Sequence, residues 1–164
     1  ISFKFYQQYS ARMKWKEAVE LQQVGYKRAA LSSMLSGYSI LKDNGDFLFA
    51  MGNAYQSVNQ IDSALYYYQQ SAAFKNDYEL HRQIGQLYHE NGLDSLAENH
   101  LLKAVYIVPN RFKSREMLVD FYVSTGNWEK AKFWANETLR LKEKVPSAVT
   151  KQVKEKMEKI ASEY

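Results

Sequence analysis

The chain has 164 residues, 46% of them apolar, a formal charge of +4 and no cysteine. Disulfides, thiolate zinc sites and cysteine nucleophiles are therefore excluded. The basic excess is thin and interspersed, with twelve Lys/Arg against eight Asp/Glu over residues 111–164, so no nucleic-acid partner is expected.

Only two prolines and seven glycines punctuate the chain, which favours long helices over a many-turned β protein. Nine helices are predicted, near 7–23, 26–39, 45–58, 61–74, 78–90, 93–107, 111–125, 128–142 and 147–162. No stretch approaches the roughly eighteen charge-free apolar residues of a membrane span. The sequence starts at Ile1, which suggests an excised domain or processed product, so that any targeting signal or anchor would lie upstream.

In the first helix pair (1–41), Trp15, Ala18 and Leu21 share one face by i, i+3 spacing. Gly25-Tyr26 resembles a turn, and Ala29-Ala30 and Met34 follow. The register stays open by one residue, and the pair reads either as a degenerate repeat or as an ordinary capping hairpin. From there a pattern recurs. Residues 45–76 carry Leu48-x2-Met51-Gly52-x2-Tyr55, then Ala64-x3-Tyr68. Residues 78–109 carry Ile84-Gly85-x2-Tyr88, then Ala97-x3-Leu101 and Pro109. Residues 112–144 carry Leu118-x3-Tyr122 and Ala131, with Val119 in place of the glycine, Ala135 in place of the aromatic, and Pro146 beyond its expected place. Ala64, Ala97 and Ala131 are 33 and 34 residues apart, as are Tyr55, Tyr88 and Tyr122, and the turn residues Asn59, Gly92 and Gly126. The last helix, 147–162, opens at Pro146-Ser147 and shows the apolar stripe Val149, Val153, Met157, Ile160 and Ala161. It reads as a cap over the core face of the last repeat.

These marks resemble the tetratricopeptide repeat (TPR), whose period is about 34 residues. The resemblance covers residues 45–144. It implies an all-α, TPR-like right-handed superhelix of antiparallel helix pairs, about nine helices in one domain over 1–164, with a C-terminal capping helix. Each mark has a physical role. A small residue, Gly52 or Gly85, lets the second helix cross closely, and the turn residue takes a left-handed conformation that Asn and Gly tolerate best.

Little in the chain points to chemistry. His81 and His89 lack the i, i+4 spacing of a helical metal pair, and His89-Glu90 is not followed by a second histidine, so no metal is expected. No glycine-rich phosphate loop or serine elbow is present, and no cofactor or catalytic residue is nominated. Asn136-Glu137-Thr138 matches a glycosylation acceptor but falls inside a predicted helix. Of the consecutive Tyr66, Tyr67 and Tyr68, the last holds the repeat's aromatic position and is expected to be packed.

In TPR proteins the first helix of each pair lines a concave face. By resemblance, the inward residues are Asp46, Phe49, Asn53 and Gln56; Glu79, Arg82, Gln86 and His89; and Lys113, Glu116, Asp120 and Val123. The partner-binding candidates are Phe49, Asn53, Gln56, Arg82, Gln86, His89, Glu116 and Asp120. Arg82 offers a planar fork for a carboxylate or phosphate. Some TPR domains grip chaperone C-termini with a Lys/Asn/Asn/Lys/Arg clamp. This chain matches only Asn53, and Phe49 stands where the first clamp lysine would be, which argues against a chaperone-tail function.

Three strings resemble something narrower: Asp43-Asn44-Gly45-Asp46-Phe47-Leu48, Val108-Pro109-Asn110-Arg111-Phe112-Lys113, and Lys144-Val145-Pro146-Ser147 with Val153-Lys154-Glu155-Lys156-Met157. They are similar to the soluble C-terminal TPR region of O-antigen ligase/polymerase-like membrane proteins of Bacteroidetes. That resemblance implies a non-catalytic accessory domain of a bacterial inner-membrane protein of cell-surface glycan assembly, acting as a protein-interaction scaffold. The alternative is a receptor holding a glycan or lipid-linked sugar in the groove, with Phe49 and Tyr66 stacking on sugar rings.

Overall fold

The computed structural model describes residues 2–143 and 147–163. The described residues form nine α-helices. They are α1 (Phe3–Gln23), α2 (Lys27–Leu41), α3 (Gly45–Ser57), α4 (Ile61–Ala72), α5 (Tyr78–Glu90), α6 (Asp94–Ile107), α7 (Phe112–Ser124), α8 (Trp128–Leu139) and α9 (Ala148–Glu163). Each was predicted, with ends that move by four residues or fewer; the largest change is α1, which begins at Phe3. No described helix is long and apolar enough to cross a membrane. Pro146, in the last repeat's end mark and in the third resemblance string, lies outside the described residues.

Contacts divide the chain into two compact units, up to Asn76 and from Asp77. In each, consecutive helices pair tightly: α1 with α2 and α3 with α4 in the first, α5 with α6 and α7 with α8 in the second, with α9 packed on α8 and α7.

The turns explain the pairing. Asn59 (φ 62°), Gly92 (φ 73°) and Gly126 (φ 71°) all sit in the left-handed region between paired helices, and Gly25 (φ 89°) does the same between α1 and α2. Two bonds recur at each turn. Gly25 N–H donates to Gln22 O, Asn59 N–H to Gln56 O, Gly92 N–H to His89 O and Gly126 N–H to Val123 O. The next residue's N–H returns to the carbonyl five residues earlier, as Gln60 does to Tyr55. This is the Schellman helix stop, with its αL residue, which satisfies carbonyls the helix leaves open. No atom lies within 4 Å of a Cβ built on Gly92, so Gly92→Ala tests the backbone alone. It is expected to cost about 1 kcal/mol in urea unfolding, the ordinary cost of placing an L side chain in that region.

Gly25 also closes the open register of the first pair. Counting from the turn, Ala18, Ala30 and Met34 fall where Gly52, Ala64 and Tyr68 fall in the next pair. Ala18, Ala30 and Met34 are fully buried, whereas Ala29 is exposed. The first pair therefore buries side chains at the same three positions as the next pair. The third repeat's two departures also compensate. Val119 and Ala135 are both fully buried, so the bulk that Tyr68 supplies opposite Gly52 is moved to the other helix. Packing tolerates such exchanges when volume is conserved.

Helix starts carry their own signals. Asn44 Oδ1 accepts from Phe47 N–H (2.9 Å), Asp77 Oδ1 from Leu80 N–H (2.9 Å) and Asn127 Oδ1 from Lys130 N–H (3.2 Å). Ser147 Oγ accepts from Thr150 N–H (3.1 Å) and caps the last helix.

Candidate functional site

In the first unit, α3 brings Phe49, Asn53 and Gln56 onto one face. Behind them stands Tyr68, fully buried on α4, with its hydroxyl 2.7 Å from both Asn53 Oδ1 and Gln56 Oε1. The Phe49 ring packs on the Tyr68 ring at 5.5 Å, and Lys75 Nζ lies 4.8 Å over its centre while pairing with Asp46 at 2.9 Å. Phe49 is thus half-buried and covered by a cation, not an open platform. Tyr66 is exposed on the neighbouring helix and packs edge-on against Tyr67. Tyr67 stacks on Tyr55, and burial followed by the neighbouring tyrosines pushes its hydroxyl up to about 12.

In the second unit, α5 carries Arg82, Gln86 and His89 on successive turns, and α7 carries Glu116 and Asp120. The structure brings Gln86, His89 and Asp120 together around one open cleft of about 350 Å³, lined also by Leu101, Met117, Phe121 and Ser124. Leu101, Met117 and Phe121 make an apolar floor, and the polar groups form its rim. Sequence reasoning missed that floor. Leu101 carried a signal as the residue at the repeat's aromatic position, but Met117 and Phe121 are not repeat marks.

His89 fixes one end of the cleft. Its Nδ1 lies 2.7 Å from Asp94 Oδ1 and its Nε2 3.0 Å from Ser124 Oγ, while the ring meets Phe121 edge-on at 5.1 Å. The order Asp–His–Ser is that of a nucleophile-activating relay. Its setting is not. Ser124 is the last residue of α7, at the helix's negative pole, where a developing oxyanion is disfavoured. Its hydroxyl donates to Phe121 O at 2.8 Å. The contacts instead staple the end of α5, the start of α6 and the end of α7 together.

Arg82, Glu116 and Asp120 are likewise engaged with their own neighbours. Arg82 spends its fork on Glu79: Nε donates to Glu79 Oε2 (3.0 Å) and Nη2 to Oε1, while Nη1 reaches Gln86 Oε1 (3.2 Å). An anionic ligand must compete with Glu79 for that guanidinium. Glu116 is held between Lys113 Nζ (2.7 Å) and Lys156 Nζ (3.3 Å), and Lys156 also meets Asp120 at 2.6 Å. Burial raises the Glu116 carboxyl, but the two lysines outweigh it and leave it below the usual range. Burial also works against the Lys156 ammonium, yet Asp120 and Glu116 hold it above its ordinary value. Lys156 thereby ties α9 to α7. Because it is more than a third exposed, Lys156→Ala is expected to cost only about 1 kcal/mol, with a loss that shrinks in high salt.

Between α5 and α6, His81 and His100 face each other with Nδ1 atoms 3.0 Å apart. Tyr88 packs on His100 at 5.7 Å. Burial, then the neighbouring His81 and Lys103, push His100 down to about 4, and burial then Lys103 lower His81 as well. No group of three or more His, Asp or Glu side chains among the described residues is placed to hold a metal ion. Glu98 is a second perturbed carboxyl among the described residues of this unit. The Lys130 ammonium (2.6 Å) holds it below its usual range, and Tyr122 donates to the same oxygen (2.7 Å).

No protein-family model matches the chain, and no curated protein matches it in sequence. Solved structures do match its fold. A tetratricopeptide repeat protein from Parabacteroides merdae superposes with a TM-score of 0.73 at 17% identity, covering 93% of this chain and 62% of that one. YrrB, described as a TPR protein with an unusual peptide-binding site, matches with a TM-score of 0.66 at 16% identity, covering 92% and 78%. The Yersinia enterocolitica type III secretion chaperone SycD, solved with a peptide of the translocator YopD, matches with a TM-score of 0.63 at 16% identity, covering 70% and 93%. At such identities the likeness speaks for the fold, and the fold is an all-α helical repeat of the TPR type.

Proposed function

We propose that the chain is a protein-interaction module that binds an extended peptide segment, and that the α5–α7 cleft is where it does so. The observation that carries the reading is the cleft's composition: an apolar floor of Leu101, Met117 and Phe121 under a rim of Gln86, His89, Asp120 and Ser124. Such a site takes one apolar anchor side chain and offers the Gln86 amide and the Asp120 carboxylate to the peptide backbone beside it, with His89 and Ser124 holding the rim in place. The peptide complexes or sites named for SycD and YrrB, on the same fold, agree with this reading. A glycan platform is less well supported, since Phe49 is covered by Lys75 and Tyr66 stands on another helix. The narrower role, an accessory scaffold attached to a membrane protein of O-antigen-type glycan assembly, rests on the three sequence strings alone.

Met117→Trp tests the site by filling its floor from a half-buried position. Selection from a random-peptide display library should enrich sequences with a recurring apolar anchor. Their affinity for the variant should fall at least about tenfold with the circular dichroism spectrum unchanged, since displacing one well-seated anchor loses 1.4 kcal/mol or more. A library that yields no enriched peptide, or peptides that bind wild type and variant equally, would remove the cleft from consideration.

A further inference from the structure

We propose that the outer face of α1 docks on an anionic lipid bilayer, lying in the plane of the headgroups. The inference does not depend on the peptide-binding reading. One face of α1 is committed to the protein: Ala11 and Ala18 are buried, and Trp15 and Leu21 pack on the first unit's core. On the opposite face, Phe5, Tyr6, Tyr9 and Met13 fall within an arc of about 100° at the helical period. These are large side chains left open to solvent: Phe5 is 64% exposed, Tyr6 65%, Tyr9 57% and Met13 45%, and Phe3 at the tip is 74% exposed. With aromatic side chains of roughly 200 Å² each, the stripe presents on the order of 500 Å² of contiguous apolar surface. That is at the top of the range for the largest patch on a soluble monomer, and such patches mark interaction sites.

Charge selects the occupant. Residues 1–16 contain Lys4, Arg12, Lys14 and Lys16 and no carboxylate. The helical period puts Arg12 and Lys16 beside the aromatics, on the same outward face. The acids begin only at Glu17 and Glu20, and Lys16 makes no closer ion pair than 3.9 Å with Glu20. Two copies packed through this stripe would bring Arg12 and Lys16 against their like, whereas an anionic headgroup layer attracts both. The side-chain chemistry agrees. Tyrosine places a ring at the acyl boundary and a hydroxyl among the headgroups, phenylalanine buries outright, and the basic stems reach back to phosphate. A helix with such a face binds in the interface plane without spanning the bilayer.

The test is co-sedimentation of the whole chain with vesicles of phosphatidylcholine alone and with about one-third phosphatidylglycerol, at low and high salt. Wild type should bind the anionic vesicles at least about tenfold more strongly than the neutral ones, and high salt should weaken that binding. The triple variant Phe5→Ser, Tyr6→Ser, Tyr9→Ser should lose at least about tenfold on anionic vesicles, and Arg12→Gln with Lys16→Gln several-fold. Since these side chains are exposed, both variants should keep the wild-type circular dichroism spectrum. Equal binding of wild type and triple variant to anionic vesicles would overturn the proposal, because the attraction would then be diffuse charge. A concentration-dependent dimer in sedimentation equilibrium that the triple variant abolishes would overturn it in favour of a second copy.

Discussion

Gly52→Ala should destabilise the first unit by roughly 2 kcal/mol, although alanine is the better helix former. A Cβ at Gly52 would stand 2.4 Å from Tyr68 Cδ1 and Cε1. The ring cannot easily retreat. It is fully buried, the Phe49 ring packs on it, and its hydroxyl is held by Asn53 and Gln56. Overpacking at such a site costs about 3 kcal/mol, and the gain in helix propensity returns about 1 kcal/mol. The clash is with a side chain, so the cost should be coupled to Tyr68. Tyr68→Ala alone should cost about 4 kcal/mol through the cavity it leaves. In Gly52→Ala/Tyr68→Ala the added methyl enters that cavity, and the double variant should be more stable than the sum of the singles by at least about 1 kcal/mol. Urea unfolding of the four proteins measures the cycle. If Gly52→Ala is as stable as wild type, close helix crossing is not what the repeat glycine is for.

Acidification should weaken the second unit well before its carboxylates protonate, because of the His81–His100 pair. One Nδ1 must donate and the other accept across 3.0 Å, and charging both rings would set two N–H groups against each other. Asp77 favours the charged form of His81, while Lys103 disfavours it for both rings. Both histidines have folded-state values below the ordinary 6.5. The unfolded chain therefore takes up protons first, so stability is fully present above about pH 6.5 and falls as pH drops toward about 4. With His100 pushed down to about 4, its share of the loss approaches roughly 3 kcal/mol, of which roughly 2 kcal/mol is gone by about pH 5. The urea midpoint should drop over that window in wild type. His100→Gln should start lower at neutral pH and show a much flatter profile. An equally steep drop in the variant would assign the titration to other groups. The depressed carboxyls of Glu98 and Glu116 act lower, losing their contribution as pH falls below the ordinary carboxylate value of about 4.3.

The helices, their pairing and the turns were legible in the order of residues. Helical period and left-handed tolerance are local properties, so Asn59, Gly92 and Gly126 declare a turn and Ala64, Ala97 and Ala131 declare a buried crossing wherever they stand. That Gln86, His89 and Asp120 would lie on the partner-facing side of α5 and α7 was implied by the TPR resemblance, not by period alone. What neighbouring helices do to those side chains was implied by neither. That Arg82 is occupied by Glu79, that Lys156 of α9 reaches Glu116 and Asp120, and that Lys75 covers Phe49 depend on how far one helix slides along another and on which rotamer each long side chain adopts. The His81–His100 pair, 19 residues apart, arises from the same interhelical offset and has no signature in spacing. Exposure of the α1 stripe is likewise a tertiary outcome. The helix predicted from residue 7 included Tyr9 and Met13 but not Phe5 and Tyr6, and it is the fold that extends α1 to Phe3, gives Ala11, Ala18 and Trp15 the contact with α2 and α3, and leaves the aromatics outside. Period and turn chemistry thus determine the repeat from the chain alone, while side-chain partners are chosen only when the helices are set against one another.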